Sequence, residues 1–507
     1  MTLRAVTAGR VLTADGVVGD TLVLEDGRVA AVTGRTEVGE MEVLDHGGAT
    51  IVPGLIDSHL HPVGFAGLVS GTSLKDATDI DDLIARIAAV ETAGAVIAQR
   101  FDDTSVGRMP TRYDLDRAVP DRPVVAYRYC GHIAVANTAA LDLAAVGPGT
   151  TDPPGGSFDR DADGIPTGVL RETAVGVVNA AVEPLAPAPT DAALLTALEG
   201  LVACGLTRIT AMAATAKPLW CGVGDEVATL CRLAANLPLD VDVVVIVETP
   251  NDLRRAASDI GEAGGRLRFW GWKEFADGSL GGHTAAMWSP FLDVPTSGTV
   301  RLDPGHAENM ARTALDLGGA VAIHAIGDRA IDMTLDLYDG LTRAGADPGR
   351  LRIEHLSVAS STAIGRLAAS GYAASVQPSF LTSEASWVSD RLGKERPAYR
   401  FAAMEAAGVN VIAGSDCPVE RPDPLIGIAA SVQRPGWHDD EAVAVETALG
   451  WYTSAPAAHL GLAVPLAPGS PADFAVVEGE VGSPDAKVVA VYREGVRQEV
   501  KPIPWPG

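Results

Sequence analysis

Ile51-Val52-Pro53-Gly54-Leu55-Ile56-Asp57-Ser58-His59-Leu60-His61-Pro62 reads as a buried apolar strand that ends in two histidines separated by one residue. Side chains two apart on a strand leave from the same face. His59 and His61 can therefore reach one point in space, as two ligands of a metal ion must. Two histidines that share a loop by coincidence give the same local sequence, since histidine is also an ordinary core or surface residue. The choice turns on whether later strands end in further ligands.

Apolar strand-like runs recur at residues 206–210, 241–247, 266–276, 319–324, 351–355, 372–376 and 409–413, with helical segments between them such as 191–204, 226–235 and 252–263. Continuous Val/Ile/Ala strands alternating with helices indicate a parallel sheet covered on its outer face. With the opening strand they number eight, so a closed TIM-type (β/α)₈ barrel is the economical architecture of this α/β chain. The two ends differ. Short strands at 5–8, 21–24 and 28–32, with an Asp26-Gly27 hairpin signal, match strands at 472–477 and 487–492 with a turn at Glu494-Gly495. Residues 1–50 and 463–507 are expected to form one composite small β domain, a sandwich, around a barrel of residues 51–462.

Residues 62–190 form a large insert, far longer than a βα connection requires. It carries a helix at 79–93, a strand at 123–129 and the turn-rich Pro153-Pro154-Gly155-Gly156. A lid that shapes substrate access and a passive elaboration are the two readings.

Reacting groups in such barrels sit at the C-terminal ends of strands. Val321-Ala322-Ile323-His324, Arg352-Ile353-Glu354-His355 and Val411-Ile412-Ala413-Gly414-Ser415-Asp416 each end an apolar run in a potential ligand. Four histidines and an aspartate on one rim favour a divalent metal. Nitrogen and carboxylate donors without cysteine suit Zn²⁺, with Mn, Fe or Ni as alternatives. In Leu267-Arg268-Phe269-Trp270-Gly271-Trp272-Lys273-Glu274-Phe275-Ala276-Asp277, alternation puts Phe269, Gly271, Lys273, Phe275 and Asp277 on one face. Lysine is expensive to bury there. It is either ion-paired, with Asp277 or another rim carboxylate, or N6-carboxylated as a carbamate that bridges two metals; a neutral amine is accessible when burial and nearby cations lower its pKa.

The chain resembles the amidohydrolase superfamily, and within it the amidohydrolase family 3 branch that contains N-substituted formamide deformylase. The resemblance rests on Pro53-Gly54-Leu55-Ile56-Asp57-Ser58-His59-Leu60-His61, Pro110-Thr111-Arg112-Tyr113-Asp114-Leu115-Asp116, Lys273 to Asp277-Gly278-Ser279-Leu280-Gly281, His324-Ala325-Ile326-Gly327-Asp328-Arg329-Ala330, Glu354-His355, Gly414-Ser415-Asp416-Cys417-Pro418-Val419 and Pro468-Gly469-Ser470-Pro471-Ala472-Asp473. It implies that His59, His61 and Asp416 bind a first metal, that His324 and His355 bind a second, and that carboxylated Lys273 bridges them. His132 matches a histidine of the family's insert. His132, His283, Asp277 and Gln377 are the expected substrate contacts. His283 stands where relatives usually carry Arg, and Arg100-Phe101-Asp102-Asp103 where they often have Trp, so the motifs specify a family and no substrate.

The implied chemistry is hydrolysis of a C–N bond, in an amide, N-formyl or N-acyl compound, by metal-activated water, with Asp416 as proton shuttle. A mononuclear aminohydrolase (deaminase) acting on a cyclic amidine is the alternative within enzymes, and a non-catalytic metal-binding barrel the alternative outside them. The bulk composition fits a soluble globular protein: 507 residues, 47% hydrophobic, 21% charged, net charge −26. That charge argues against nucleic acid or an anionic membrane as partner. The start lacks a signal-peptide core, and no run of about 18 uncharged apolar residues occurs. Cys130, Cys204, Cys221, Cys231 and Cys417 show no paired spacing, as expected of reduced structural thiols in a cytoplasmic protein. The expected partners are a small-molecule substrate and, at most, a second copy of the chain in a homodimer.

Overall fold

The computed structural model describes all residues except 1–2, 38, 40, 187–188, 217–223, 397, 500, 503–504 and 506–507, so Cys221 lies outside the described residues. Eight parallel strands follow one another around a sheet: Leu55–Leu60, Leu206–Ala214, Asp240–Ile246, Leu267–Phe275, Ala320–Ala325, Leu351–His355, Ala373–Val376 and Asn410–Ala413. They are called barrel strands 1 to 8 below. Both faces are apolar, as parallel strands require. Val243, Val245, Val321 and Ile323 belong to the large cluster beneath the helices, while Ile56, Met212, Val244 and Ala322 form the smaller interior cluster.

The barrel closes where strand 8 returns to strand 1. The Asp416 amide donates to His59 O and the His61 amide to Cys417 O, both at 2.7 Å. Asp57, fully buried on strand 1, reinforces the seam by accepting from the His59 and Ser415 amides at 3.0 and 3.1 Å. Burial pushes the Asp57 carboxyl up to about 7 against those donors. Gly414 has to be glycine, because a Cβ there would lie 2.5 Å from the His59 nitrogen.

The opening stretch is two strands. Thr50–Pro53 pairs antiparallel with Phe474–Glu478, and the chain then crosses at Gly54 into barrel strand 1. The transition therefore falls at Gly54, a few residues later than the expected boundary after residue 50. A Cβ at Gly54 would meet Thr207 Oγ1 at 2.6 Å, so close packing against barrel strand 2 sets the crossing point. Thr50–Pro53, Leu3–Thr13, Gly16–Glu25, Arg28–Thr33 and Glu42–Asp45 join Phe474–Glu478, Lys487–Arg493 and Val496–Arg497 in one eight-stranded sheet built from both ends of the chain. The hairpin at Asp26-Gly27 has positive φ at both residues, as a tight primed turn needs.

Barrel strand 4 breaks the expected alternation. The register of strands 3 and 4 slips between Val243↔Phe269 and Val244↔Gly271, a bulge at Trp270. Trp270 joins the interior cluster with Phe275, and Phe269 packs on the outer one. Phe269 therefore does not share a face with Lys273.

Between barrel strands 1 and 2 the insert builds a six-stranded sheet in the order Gly156–Arg160, Pro166–Glu172, Ile133–Ala136, Val124–Arg128, Val96–Phe101, Thr72–Ser73. The expected helix at 79–93 is shorter, Ile80–Ala88, begun by the Asp79 side chain accepting from the Asp82 amide. No helix among the described residues is long and apolar enough to cross a membrane.

The seam predicts that Gly414→Ala, by forcing a Cβ against the His59 amide, costs about 1–3 kcal/mol, in the range of other overpacking changes. Calorimetric unfolding should show a lowered midpoint; an unchanged midpoint would contradict this account of the seam.

Candidate metal centre

His59 lies near the end of barrel strand 1, and His61 one residue past it. Asp416 follows barrel strand 8 with φ 56°, a left-handed conformation that a non-glycine residue adopts only under constraint. The seam hydrogen bonds supply that constraint. His59 Nε2 stands 3.4 Å and His61 Nε2 3.3 Å from Asp416 Oδ1. Four donors at about 2.0–2.1 Å around a tetrahedral ion lie roughly 3.3–3.4 Å from one another. Both distances fit one shared cation, and the three residues form the one such group of His, Cys, Asp and Glu among the described residues.

The unoccupied valences agree. His59 Nδ1 is held by Glu354 Oε2 at 2.6 Å, whereas its Nε2 is buried without a hydrogen-bond partner. A carboxylate on the far nitrogen fixes the tautomer that leaves Nε2 as a metal donor. Glu354 is fully buried and also accepts from Arg352 Nε. Burial opposes its ionisation, but the Arg352 guanidinium and the His59 imidazole outweigh it and hold the carboxyl well below the usual range. Arg352 in turn donates to Ser58 O at 3.0 Å and stacks over Trp270 at 4.8 Å. This buried chain carries no local sequence signal beyond two charged residues alternating in an apolar strand.

Lys273, His324 and His355 complete the rim. His324 and His355 have ring centroids 4.4 Å apart, and His59 and His355 5.0 Å. His324 Nε2 donates to Gly278 O at 2.9 Å, which leaves Nδ1 on the other edge of the ring. His355 Nδ1 is buried without a partner, and the backbone there has φ 73°. Lys273 is buried on barrel strand 4, its Nζ 4.7 Å from the Phe275 ring centroid. Burial, then the Lys273 charge, lower His59 to about 4. Burial above all, with the neighbouring imidazoles and Lys273, holds His324 and His355 well below their ordinary value. All three are neutral at ordinary pH, as metal ligands must be. For Asp416, burial acts upwards, but His59, His61 and Lys273 together hold it below the usual carboxylate range.

These six side chains line a cavity of about 210 Å³, much of whose remaining wall comes from the insert, with Ile97, Gln99, Arg100, Tyr127, Tyr129 and His132 among its residues. The insert thus helps to enclose the cavity, which goes beyond passive elaboration. His132 lies in the wall. Asp277, His283 and Gln377 do not line it. Asp277 is fully buried and accepts from the Ala286, Gly327 and Ile326 amides at 2.8 to 3.0 Å, so it pins loops instead. His283 turns to Asp293 at 2.8 Å. Gln377 is buried beside His355 at the end of barrel strand 7. Among the described residues, Cys130, Cys204, Cys231 and Cys417 form no disulfide.

A parallel barrel with His-x-His on strand 1 and an aspartate after strand 8, focused on one cation-sized point, defines a metal-dependent hydrolase. The profile of the amidohydrolase family matches residues 42–498, and the chain belongs to that family, in its family 3 branch. It is 30% identical over 464 residues to the Bacillus subtilis protein YtcJ, covering 87% of this chain and 86% of that one. It is 28% identical over 477 residues to the N-substituted formamide deformylase of Arthrobacter pascens, covering 86% and 85%. A solved metal-dependent hydrolase of Pyrococcus furiosus superposes with a TM-score of 0.72 at 28% identity, over 95% of this chain and all of that one.

Glu354→Gln keeps an acceptor for His59 but removes the charge. Outer-sphere losses of this kind weaken metal binding by about 10–100-fold. Competition with a chromophoric chelator measures the loss, and unchanged affinity would show that Glu354 does not support the ligand.

Proposed function

We propose that the protein hydrolyses a C–N bond in a small amide, N-formyl or N-acyl compound. The observation that carries this reading is the convergence of His59, His61 and Asp416 on one point in a cavity walled in part by the insert. A relative named for deformylating N-substituted formamides supports the bond type. His59, His61 and Asp416 would hold a divalent cation, with Zn²⁺ the best fit to this donor set, and it would supply Lewis acidity towards a water and a carbonyl. Asp416, flanked by both imidazoles, accepts the proton released from that water and passes it to the leaving nitrogen. The insert walls exclude bulk solvent and orient the acyl and amine groups.

Lys273 is proposed to be N6-carboxylated. Its neutral amine would add to carbon dioxide, forming an N–C bond and releasing a proton, and the carbamate with His324 and His355 would hold a second cation. A mononuclear aminohydrolase is the second reading, favoured by the single tight His–His–Asp group. Metal analysis with intact-mass measurement separates them. Two metals per chain and the added mass of one CO₂ that disappears in Lys273→Ala support the bridge; one metal at full activity with unmodified Lys273 supports the mononuclear site.

Asp416→Ala should lower turnover by about 10²–10⁴-fold, the usual contribution of a proton-transfer group. A screen of N-formyl, N-acyl and cyclic amide substrates on metal-loaded protein measures it. Wild-type turnover in that variant would refute the assigned role.

A further inference from the structure

His132 lies outside the ligand set, yet its ring centroid is 5.3 Å from that of His324, and it faces the same cavity. It stands in the turn between insert strands Val124–Arg128 and Ile133–Ala136. The ladder from Ile133 to Arg171 places it opposite Glu172, whose amide donates to His132 O at 2.9 Å. The side chains meet as well, His132 Nδ1 lying 2.9 Å from Glu172 Oε2. Glu172 is buried, has φ 52° and also accepts from Arg301 Nη1 at 3.3 Å. Burial pushes its carboxyl up, but His132 and Arg301 outweigh that and hold it below the usual range. A Cβ on Gly278 would fall 2.2 Å from Glu172 Oε1, so the glycine after Asp277 makes room for this carboxylate. The strained backbone, the paired guanidinium and the glycine cradle all serve one carboxylate that touches a cavity histidine.

We propose that Glu172 is a positioning residue that fixes His132 as the Nδ1–H tautomer, so that Nε2 is the edge His132 presents to the substrate. This rests on the reading of the cavity as a hydrolytic site. A buried carboxylate holding the far nitrogen of an imidazole is the arrangement by which hydrolases orient a histidine that must accept a hydrogen bond or a proton at the near one. His132 then stands beside the His324 edge of the centre as a second group able to meet the scissile amide, and Glu172 acts only through it.

The test is side-chain nitrogen NMR of histidine-labelled full-length protein, with the His132 signal assigned by its loss in His132→Gln. The proposal expects a proton on Nδ1 and none on Nε2 in the neutral wild-type ring. In Glu172→Gln, where the amide can donate as well as accept, the Nε2–H form should appear. Turnover should fall by about 10²-fold, the low end for misplacing an acid–base group, with KM and metal content little changed. A wild-type ring protonated on Nε2 would overturn the proposal even if the variant fails to fold. So would a Glu172→Gln protein with wild-type tautomer and turnover. The NMR measurement needs no substrate, so a failure to find any hydrolysed amide would refute the proposed function and leave the tautomer result standing on its own.

Discussion

Two peptide hydrogen bonds of 2.7 Å, from Asp416 to His59 and from His61 to Cys417, close the barrel. They are also what brings the two ends of the ligand set together, because the bonded peptides are those of His59, His61, Asp416 and the residue after Asp416. Barrel strand 1 and the end of barrel strand 8 are some 350 residues apart in the chain, and only closure of the sheet makes them neighbours. Asp57 and Gly414 serve that junction, one by clamping amides and the other by leaving out a Cβ. Fold and site are the same constraint seen at two scales.

Around that seam the protein keeps charges in an apolar barrel by pairing them. Glu354 is neutralised by Arg352 and hydrogen-bonded to His59. Breaking one partner of such a buried group leaves the other uncompensated, which is why these residues act as a unit. Burial favours the neutral form of His59, His324 and His355, the state in which imidazole nitrogen can donate to a cation. Left-handed backbone at His355 and Asp416 costs of the order of 1–3 kcal/mol each and persists where surrounding structure enforces it. Two such positions, His355 and Asp416, are proposed ligands.

The strand sequence was legible because barrel strands buried on both faces are continuous apolar runs, and a histidine or aspartate at their ends stands out. His59, His61, His324, His355 and Asp416 were readable on that basis and Lys273 from the cost of burying a lysine, and the structure brings all six to the wall of one cavity. What was not legible is non-local. The bulge at Trp270 depends on how strand 4 meets strand 3, and alternation alone misplaces Phe269. The polar residues Asp277 and Gln377 look available for substrate until packing shows the first spent on backbone amides and the second buried beside His355. Glu354 and Glu172 draw their importance from histidines 295 and 40 residues away. No spacing rule announces such partners.

The central claim is that His59, His61 and Asp416 form a cation site on which hydrolysis depends. The most direct measurement is anomalous diffraction from crystals of chelator-treated protein reloaded with Zn²⁺, paired with turnover before and after reloading. A peak is expected within bonding distance of His59 Nε2, His61 Nε2 and Asp416 Oδ1, with activity that returns with it. Full activity in the metal-free protein, or a peak elsewhere in the barrel, would contradict it.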